Sequence, residues 1–449
     1  SKSKISFVEH HLAHLAAAYY TAPNVSIGKK VLGLTCDGAG DGLSATVSIC
    51  QGNSINRISS TSRDASLGKI YSRITMLAGF KPWEHEYKIM GLAPYADQQK
   101  SYLAAEPLRN LLKLSQKSLK FILGEGLSTN YCYYYLRDNF ERIRFDVLAG
   151  AVQLYTEEML IKWVKAAIKR TSIHDIVCGG GVFMNVKANM LIQQLPEVRS
   201  MYVMPSAADE SLSIGAALQV YYQKSKDEDH KKSIFNDLYL GKDLSGSEIK
   251  SAVNKLNSRK KIYVYEPQNI NDFAAKKLSK GEIISVCRGR MEWGARALGN
   301  RSIIVGAESK EKVEIINSQI KMRDFWMPFA PSILDADIGK YIDDKKNILP
   351  EFMTFAMPTK KETLPNLIAA THPVDKTCRP QVVTKMANPA FHKFLTNYKK
   401  YTGVSGVLQT SFNIHGEPMV NSARDACDTF IMSGLQNMIL DKYYISKKD

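Results

Sequence analysis

Residues 173–195 read IHDIVCGGGVFMNVKANMLIQQL. The run 173–178 reads as a buried strand, three consecutive glycines stop it, and residues 186–195 carry a helical pattern. Strand, glycine turn and helix in that order predict an α/β domain. Immediately upstream, apolar residues recur at spacings of three and four over 145–170, which predicts one long helix feeding into the strand.

Working toward the N-terminus, VLGLT (31–35) reads as a second buried strand, DGAGDG (37–42) as a turn, residues 45–49 as a returning strand and 51–54 as another turn. That pattern is a β-meander. Working the other way, QKSKDEDHKKS (223–233) is polar, charged and aperiodic, the composition of a linker. It predicts two domains, 1–229 and 230–449. In the second, 262–264, 283–287, 303–305 and 404–408 read as short strands among helical stretches, an α+β pattern.

The chain has 449 residues, 45% apolar and 23% charged, so it is expected to fold rather than stay disordered. No run of about 18 apolar residues exists, so no membrane-spanning segment is expected, and a cytoplasmic location is the default. Seven cysteines are scattered with no C-x-x-C pair, which argues against a disulfide framework and a zinc ribbon. Sixty Lys and Arg against 44 Asp and Glu give a net charge of +16. This fits either a nucleic-acid surface or pockets for phosphorylated small molecules, and without an RNA- or DNA-binding signature nucleic acid is not expected as a partner.

Several clusters carry chemistry. His10 and His14 stand four apart, on one face of a helix, where two imidazoles can share a first-row metal. The alternative is a helix whose histidines sit at an exposed end. Asp37, at a strand end, and Asp209, ahead of an Ala-rich helix, are candidate carboxylate ligands. A hairpin turn and a helix cap are their plain readings. The glycines 179–181 with Asn185 could cradle phosphate or simply connect strand to helix.

The second domain gathers Arg288, Arg290, Arg296, Arg301, Lys321, Arg323 and Arg379. Lys321 and Arg323, two apart, would point the same way on an extended segment and clamp one polyanion. Ser411 and Asn413 would share a face after the 404–408 strand. GRMEWGARALGNRS (289–302) has the composition of a binding loop.

Taken together these residues resemble the ATP-dependent O-carbamoyltransferases of the nodulation-protein-U and antibiotic-tailoring type. The resemblance is carried by EHHLAH (9–14), DGAGDG (37–42), SLGKIYSRIT (66–75), EHEYKIMGLAPY (84–95), GGVFMN (180–185), PSAADESLSIGAA (205–217), GRMEWGARALGNRSI (289–303), KMRDFWMPFAPS (321–332), DKTCRPQVV (375–383) and TSFNIHGEP (410–418). It implies an actin-like (ASKHA) N-terminal domain lacking its first strands, followed by an α+β YrdC-like domain. It also implies that carbamoyl phosphate and ATP form carbamoyl-adenylate, whose carbamoyl group passes to a hydroxyl of a small-molecule or saccharide acceptor.

By position, the resemblance makes Lys321, Arg323 and Arg379 catalytic, with Ser411, Asn413, Arg301 and Arg290 holding substrate. Asp146 would contact the acceptor, helix capping being its other reading. His10, His14, Asp37 and Asp209 would hold iron (Fe2+) or another divalent metal, and Gly180, Gly181 and Asn185 would line a nucleotide pocket. Relatives differ at Gly294-Ala295-Arg296, usually Gly-Pro-Arg, and at Met327-Pro328-Phe329, usually Arg-Pro-Phe. They also carry a segment ahead of the His motif, so this chain is expected to be a fragment or half of a split enzyme. The other readings are a tRNA threonylcarbamoylation-related or RNA-binding protein, and a catalytically incomplete fragment. Hydrogenase maturation, which shares both domain types, would need an acylphosphatase module and zinc-finger cysteines that the sequence lacks.

Overall fold

A two-residue turn starts the first sheet. Asp41 and Gly42 have φ of 47° and 82°, the left-handed pair that matches the twist of a hairpin. They join strand β1 (Val31–Gly40) to β2 (Leu43–Gln51), and β3 (Ser54–Ser62) completes the meander. The 37–42 stretch is therefore mostly strand, and only its last two residues turn. The β1–β2 register shifts between Cys36 and Gly40, and such a bulge re-aims the side chains at it. Asp37 lies there.

The structure is a computed structural model describing residues 5–23, 25, 28–225, 233–259 and 261–447. The chain divides into two units, Ser1–Phe235 and Asn236–Asp449. Most of the linker expected at 223–233 lies outside the described residues. Among the described residues no helix is long and apolar enough to cross a membrane.

In the first unit, β4 (Leu112–Ser115) and β5 (Lys120–Leu123) form a small hairpin, while β6 (Asp175–Gly179) and β7 (Ser200–Val203) add parallel strands to the meander. The main sheet has the order β3-β2-β1-β6-β7. The first six residues of β1 are all buried, as befits a central strand covered on both faces. The long helix runs Phe145–Thr171, and the helix after the glycine turn runs Val186–Gln193.

Helix α1 (His10–Thr21) packs on β1 and β6 and on the helix Leu212–Lys224. The last contact is very close. A Cβ on Gly215 would sit 1.8 Å from the Ala13 carbonyl oxygen, so only glycine lets these helices meet.

The second unit is built on an eight-stranded mixed sheet. Its strands are β8 (Ile262–Tyr265), β9 (Ile284–Cys287), β10 (Arg301–Gly306), β11 (Ala330–Leu334), β14 (Gln381–Val383), β15 (Gly406–Ser411), β16 (Asn437–Leu440) and β17 (Tyr443–Lys447). They lie in the order β14-β11-β15-β10-β9-β16-β17-β8, beside a short pair, β12 (Met357–Pro358) and β13 (Thr377–Cys378). The strand expected at 404–408 begins two residues later and extends through Ser411. Helices Ile270–Leu278 and Pro389–Thr402 bury Ala274, Leu278, Phe391, Phe394 and Tyr398 against Ile284, Val286, Ile304 and Val407. All seven cysteines are buried and unpaired.

Candidate active site

The first unit brings four expected metal ligands together. The Glu9 carboxylate caps α1, accepting from the His11 and Leu12 amides at 3.1 and 2.8 Å, and Asp41 accepts from the His10 amide at 2.9 Å. These caps fix the helix start, and with it the direction of His10 and, one turn on, His14. The histidines are not at an exposed helix end: His11 and His14 are fully buried. Gly40 leaves room for His10, since a Cβ there would fall 2.1 Å from the imidazole ring.

His10 Nε2 lies 2.9 Å from Asp37 Oδ2 and 3.1 Å from His14 Nε2. His14 Nε2 lies 3.3 Å from the same carboxylate oxygen and 3.5 Å from Asp209 Oδ1, with His10 to Asp209 at 3.7 Å. Ligands held about 2.1 Å from a metal ion are spaced by about 3.0–3.4 Å, so this donor set fits one first-row divalent cation. The other His14 nitrogen meets Ser211 Oγ at 3.1 Å, the outer partner that orients a metal-bound imidazole. Burial acts to lower His14, but hydrogen bonds to Asp209 and Asp37 outweigh it and its pKa rises. Burial likewise opposes the charge of Asp37, yet His10 and His14 hold its carboxyl well below the usual range.

The other candidates of this unit have structural partners. The Gly181 amide donates to Asp37 Oδ1 at 3.2 Å, so the glycine turn braces a candidate metal ligand. Asn185 caps the next helix through the Ala188 amide and pairs with Gln153 at 2.9 Å. Asp146 lies in the first turn of Phe145–Thr171, whose N-cap is Arg144. Both its carboxylate oxygens are taken by the Arg144 guanidinium, at 3.1 and 2.9 Å, which lowers its pKa.

In the second unit Lys321 meets Ser411 and Asn413. Its buried ammonium donates to the Ser411 carbonyl at 2.5 Å and lies 3.1 Å from Ser411 Oγ and 2.5 Å from Asn413 Oδ1. The segment is not extended, contrary to the two-apart expectation. Lys321 ends a π-helical turn and Met322 takes φ 43°, yet the charges still converge. Burial, then the Arg323 charge, pushes Lys321 well below the usual lysine range. Burial, then Arg296 and Arg323, does the same to Arg379. Arg379 Nε is buried without a hydrogen-bond partner, and among the described residues no carboxylate pairs with Lys321 or Arg379. Crowded, partly desolvated cations of this kind favour a polyanion.

Two expected substrate-binding arginines are held by backbone carbonyls. The fully buried Arg301 donates to carbonyls of Arg288 at 2.8 Å, Gly289 at 3.1 Å and Asn421 at 3.2 Å. These bonds brace the 289–300 loop. Arg290 donates to the Leu240 and Gly241 carbonyls at 3.0 Å.

Sequence reasoning left Arg296 without a role and missed the loop's supports. Glu292 Oε1 accepts from the Leu298, Asn300 and Arg301 amides, at 2.8, 2.8 and 3.1 Å. Gln409 and Gln381 reach from the sheet to the Ala297 and Leu298 carbonyls, at 2.8 and 3.0 Å, and meet each other at 2.6 Å. An isolated glutamine in a strand carries no signal for such a role.

Comparison with known proteins adds independent findings. The family described as Carbamoyltransferase N-terminus matches residues 1–218, and Carbamoyltransferase C-terminus matches residues 275–447. An uncharacterized protein of Methanocaldococcus jannaschii is 32% identical over 99% of this chain and 83% of its own length. A 3'-hydroxymethylcephem-O-carbamoyltransferase of Amycolatopsis lactamdurans is 26% identical over 59% of this chain and 48% of its own. Among solved structures, a full-length HypF in its phosphate- and nucleotide-bound form covers 49% of this chain and 43% of its own, at 16% identity and a TM-score of 0.28.

Proposed function

This chain belongs to the carbamoyltransferase family, and from that membership we propose that it makes carbamoyl-adenylate from carbamoyl phosphate and ATP and passes the carbamoyl group to a hydroxyl acceptor. The observation that carries this reading is the convergence of Lys321, Arg323, Arg379 and Arg296 beside Ser411 and Asn413. Two polyanionic reactants repel each other, and preorganised cations that remove the repulsion are the main requirement for the chemistry. The mixed architecture supports reading the first unit as actin-like and the second as YrdC-like.

In the second unit, water cleaves carbamoyl phosphate to carbamate and phosphate. A carbamate oxygen then attacks the α-phosphorus of ATP and pyrophosphate leaves. Lys321, Arg323 and Arg379 bind and orient the phosphates, and the buried setting of Lys321 and Arg379 keeps that electrostatic pull from being screened. Arg301, Glu292, Gln381 and Gln409 hold the loop that carries Arg296.

In the first unit, the acceptor oxygen attacks the carbamoyl carbon, its proton passes to a base, and AMP leaves. His10, His14, Asp37 and Asp209 would hold iron or another divalent metal, which when bound polarises the carbonyl and stabilises charge on the leaving group. The Gly181 amide and Ser211 keep Asp37 and His14 aimed. The acceptor is a small molecule or saccharide.

The test is pyrophosphate release from ATP, followed by a coupled phosphate assay with a control lacking ATP. The purified chain is expected to release pyrophosphate only when carbamoyl phosphate is present, and Arg323→Ala is expected to abolish it. Wild-type rates in that variant would overturn the assignment.

A further inference from the structure

We propose that Lys69, Arg73 and Trp83 form the acceptor's binding surface, and that it takes a hydroxylated ring carrying an anionic group, either a carboxylate or a phosphate ester. This deepens the reading above, since it assumes that transfer takes place in the first unit.

Helix α2 (Leu67–Leu77) starts at the metal-ligand strand. Its N-cap Ser66 accepts from the Lys69 amide at 3.1 Å and donates to the Gly38 carbonyl at 2.6 Å, next to Asp37. Lys69 and Arg73 are four apart and lie on one face, so a row of positive charge leads away from Asp37 along α2.

Among the described residues no carboxylate pairs with Lys69 or Arg73. The Lys69 ammonium donates to Asn130 Oδ1 and, at 3.3 Å, to the Arg63 carbonyl. Arg73 donates to the Asn130 carbonyl at 3.4 Å. Neutral oxygens therefore hold both cations in place without neutralising them. Asp64, the acid whose charge bears on Lys69, is itself held by Ser128 and Asn130 at 2.8 and 2.6 Å.

Trp83 supplies the flat partner. The Arg73 guanidinium stands 5.6 Å from the centre of its ring, within reach of a cation–π attraction. The indole is 66% exposed and its backbone has φ 66°, a left-handed conformation that a bulky L residue adopts only where the surroundings enforce it. Here they do: the Trp83 amide donates to Glu86 Oε1 at 2.6 Å, which also accepts from Ser72 at 2.6 Å. A large aromatic face held out in water beside an unneutralised guanidinium suits a ring that stacks on the indole while its anion pairs with Arg73 and Lys69.

Calorimetric titration of the full chain with D-glucuronate, glucose 6-phosphate and D-glucose tests this. At least one anionic probe is expected to bind about tenfold more tightly than glucose, and glucuronate against the phosphate ester distinguishes the two sources of charge. Arg73→Gln should erase the preference. Trp83→Ala should weaken the preferred probe about tenfold while Trp83→Phe retains it. Equal binding of all three sugars, or a preference that survives Arg73→Gln, would overturn the proposal. So would binding of a single-stranded oligoribonucleotide, lost in Trp83→Ala, with no response to either anionic sugar. Carbamoyl-phosphate-dependent pyrophosphate release by the wild type reads the second unit's chemistry on its own. A chain that prefers glucuronate but releases no pyrophosphate keeps this surface and refutes the carbamoyl-adenylate reading.

Discussion

Lys321 Nζ and Asn413 Oδ1 lie 2.5 Å apart across 92 residues of chain. The contact ties the end of a π-helical turn to the residues following β15, and it sets a buried ammonium facing oxygen acceptors, with no carboxylate paired to it among the described residues.

Removing that acceptor should therefore be felt in both stability and function. Asn413→Leu is expected to cost about 1–3 kcal/mol, because the buried ammonium loses an acceptor that water cannot replace. Thermal unfolding monitored by circular dichroism checks the stability. The same variant should lower carbamoyl-phosphate-dependent pyrophosphate release, since Lys321 loses its fixed direction.

Anion affinity should depend on pH through Lys321. Burial and Arg323 depress its pKa, so the free protein gives up this proton at a lower pH than an unfolded chain would. In that window the unfolded state binds more protons, and this group's destabilising effect fades as pH rises through the folded pKa. A bound anion favours the charged form. Sulfate binding should therefore take up protons and weaken as pH rises through the depressed pKa of Lys321, whereas Lys321→Arg, permanently charged, should flatten the dependence. Titrations in buffers of different ionisation enthalpy measure the uptake. A flat wild-type profile would contradict the assigned role.

His14→Ala should remove bound metal, read by elemental analysis after dialysis against a weak chelator. Ser211→Ala should retain the ligands but weaken the metal by about 10–100-fold, because His14 loses the partner on its other nitrogen. Undiminished affinity in Ser211→Ala would mean that the ring is oriented by packing alone.

Gly215→Ala should act on the same centre from a distance. The new methyl has no room beside the Ala13 carbonyl, so α1 and Leu212–Lys224 must separate, at a cost of about 1–3 kcal/mol. Asp209, just ahead of that helix, should then move away from His10 and His14. A fall in metal affinity without loss of the folded baseline is the expected signature.

Much of the fold was legible from particular residues. The short apolar runs and intervening glycine turns of 31–54 specified the meander, and the 145–170 periodicity marked the helix observed at Phe145–Thr171. The His10/His14 spacing placed both rings on one helix face because helical geometry is local. The turn in 37–42 was misplaced because several glycines satisfy a turn pattern equally well, while strand pairing extends β1 to Gly40. Strands β11, β14, β16 and β17 were not read, being short apolar runs with no alternating face.

Chemistry that depends on residue type and short spacing was determined by the sequence itself: two imidazoles one helical turn apart, a glycine turn after a strand, a surplus of cations in the second half. Long-range packing alone decided which groups meet. It set Asp209 opposite His14, turned Arg301 inward onto carbonyls, and brought Arg296 within electrostatic reach of Arg379. The reason is that a side chain's direction follows from local backbone angles, whereas its partner is fixed by which distant elements must share a core.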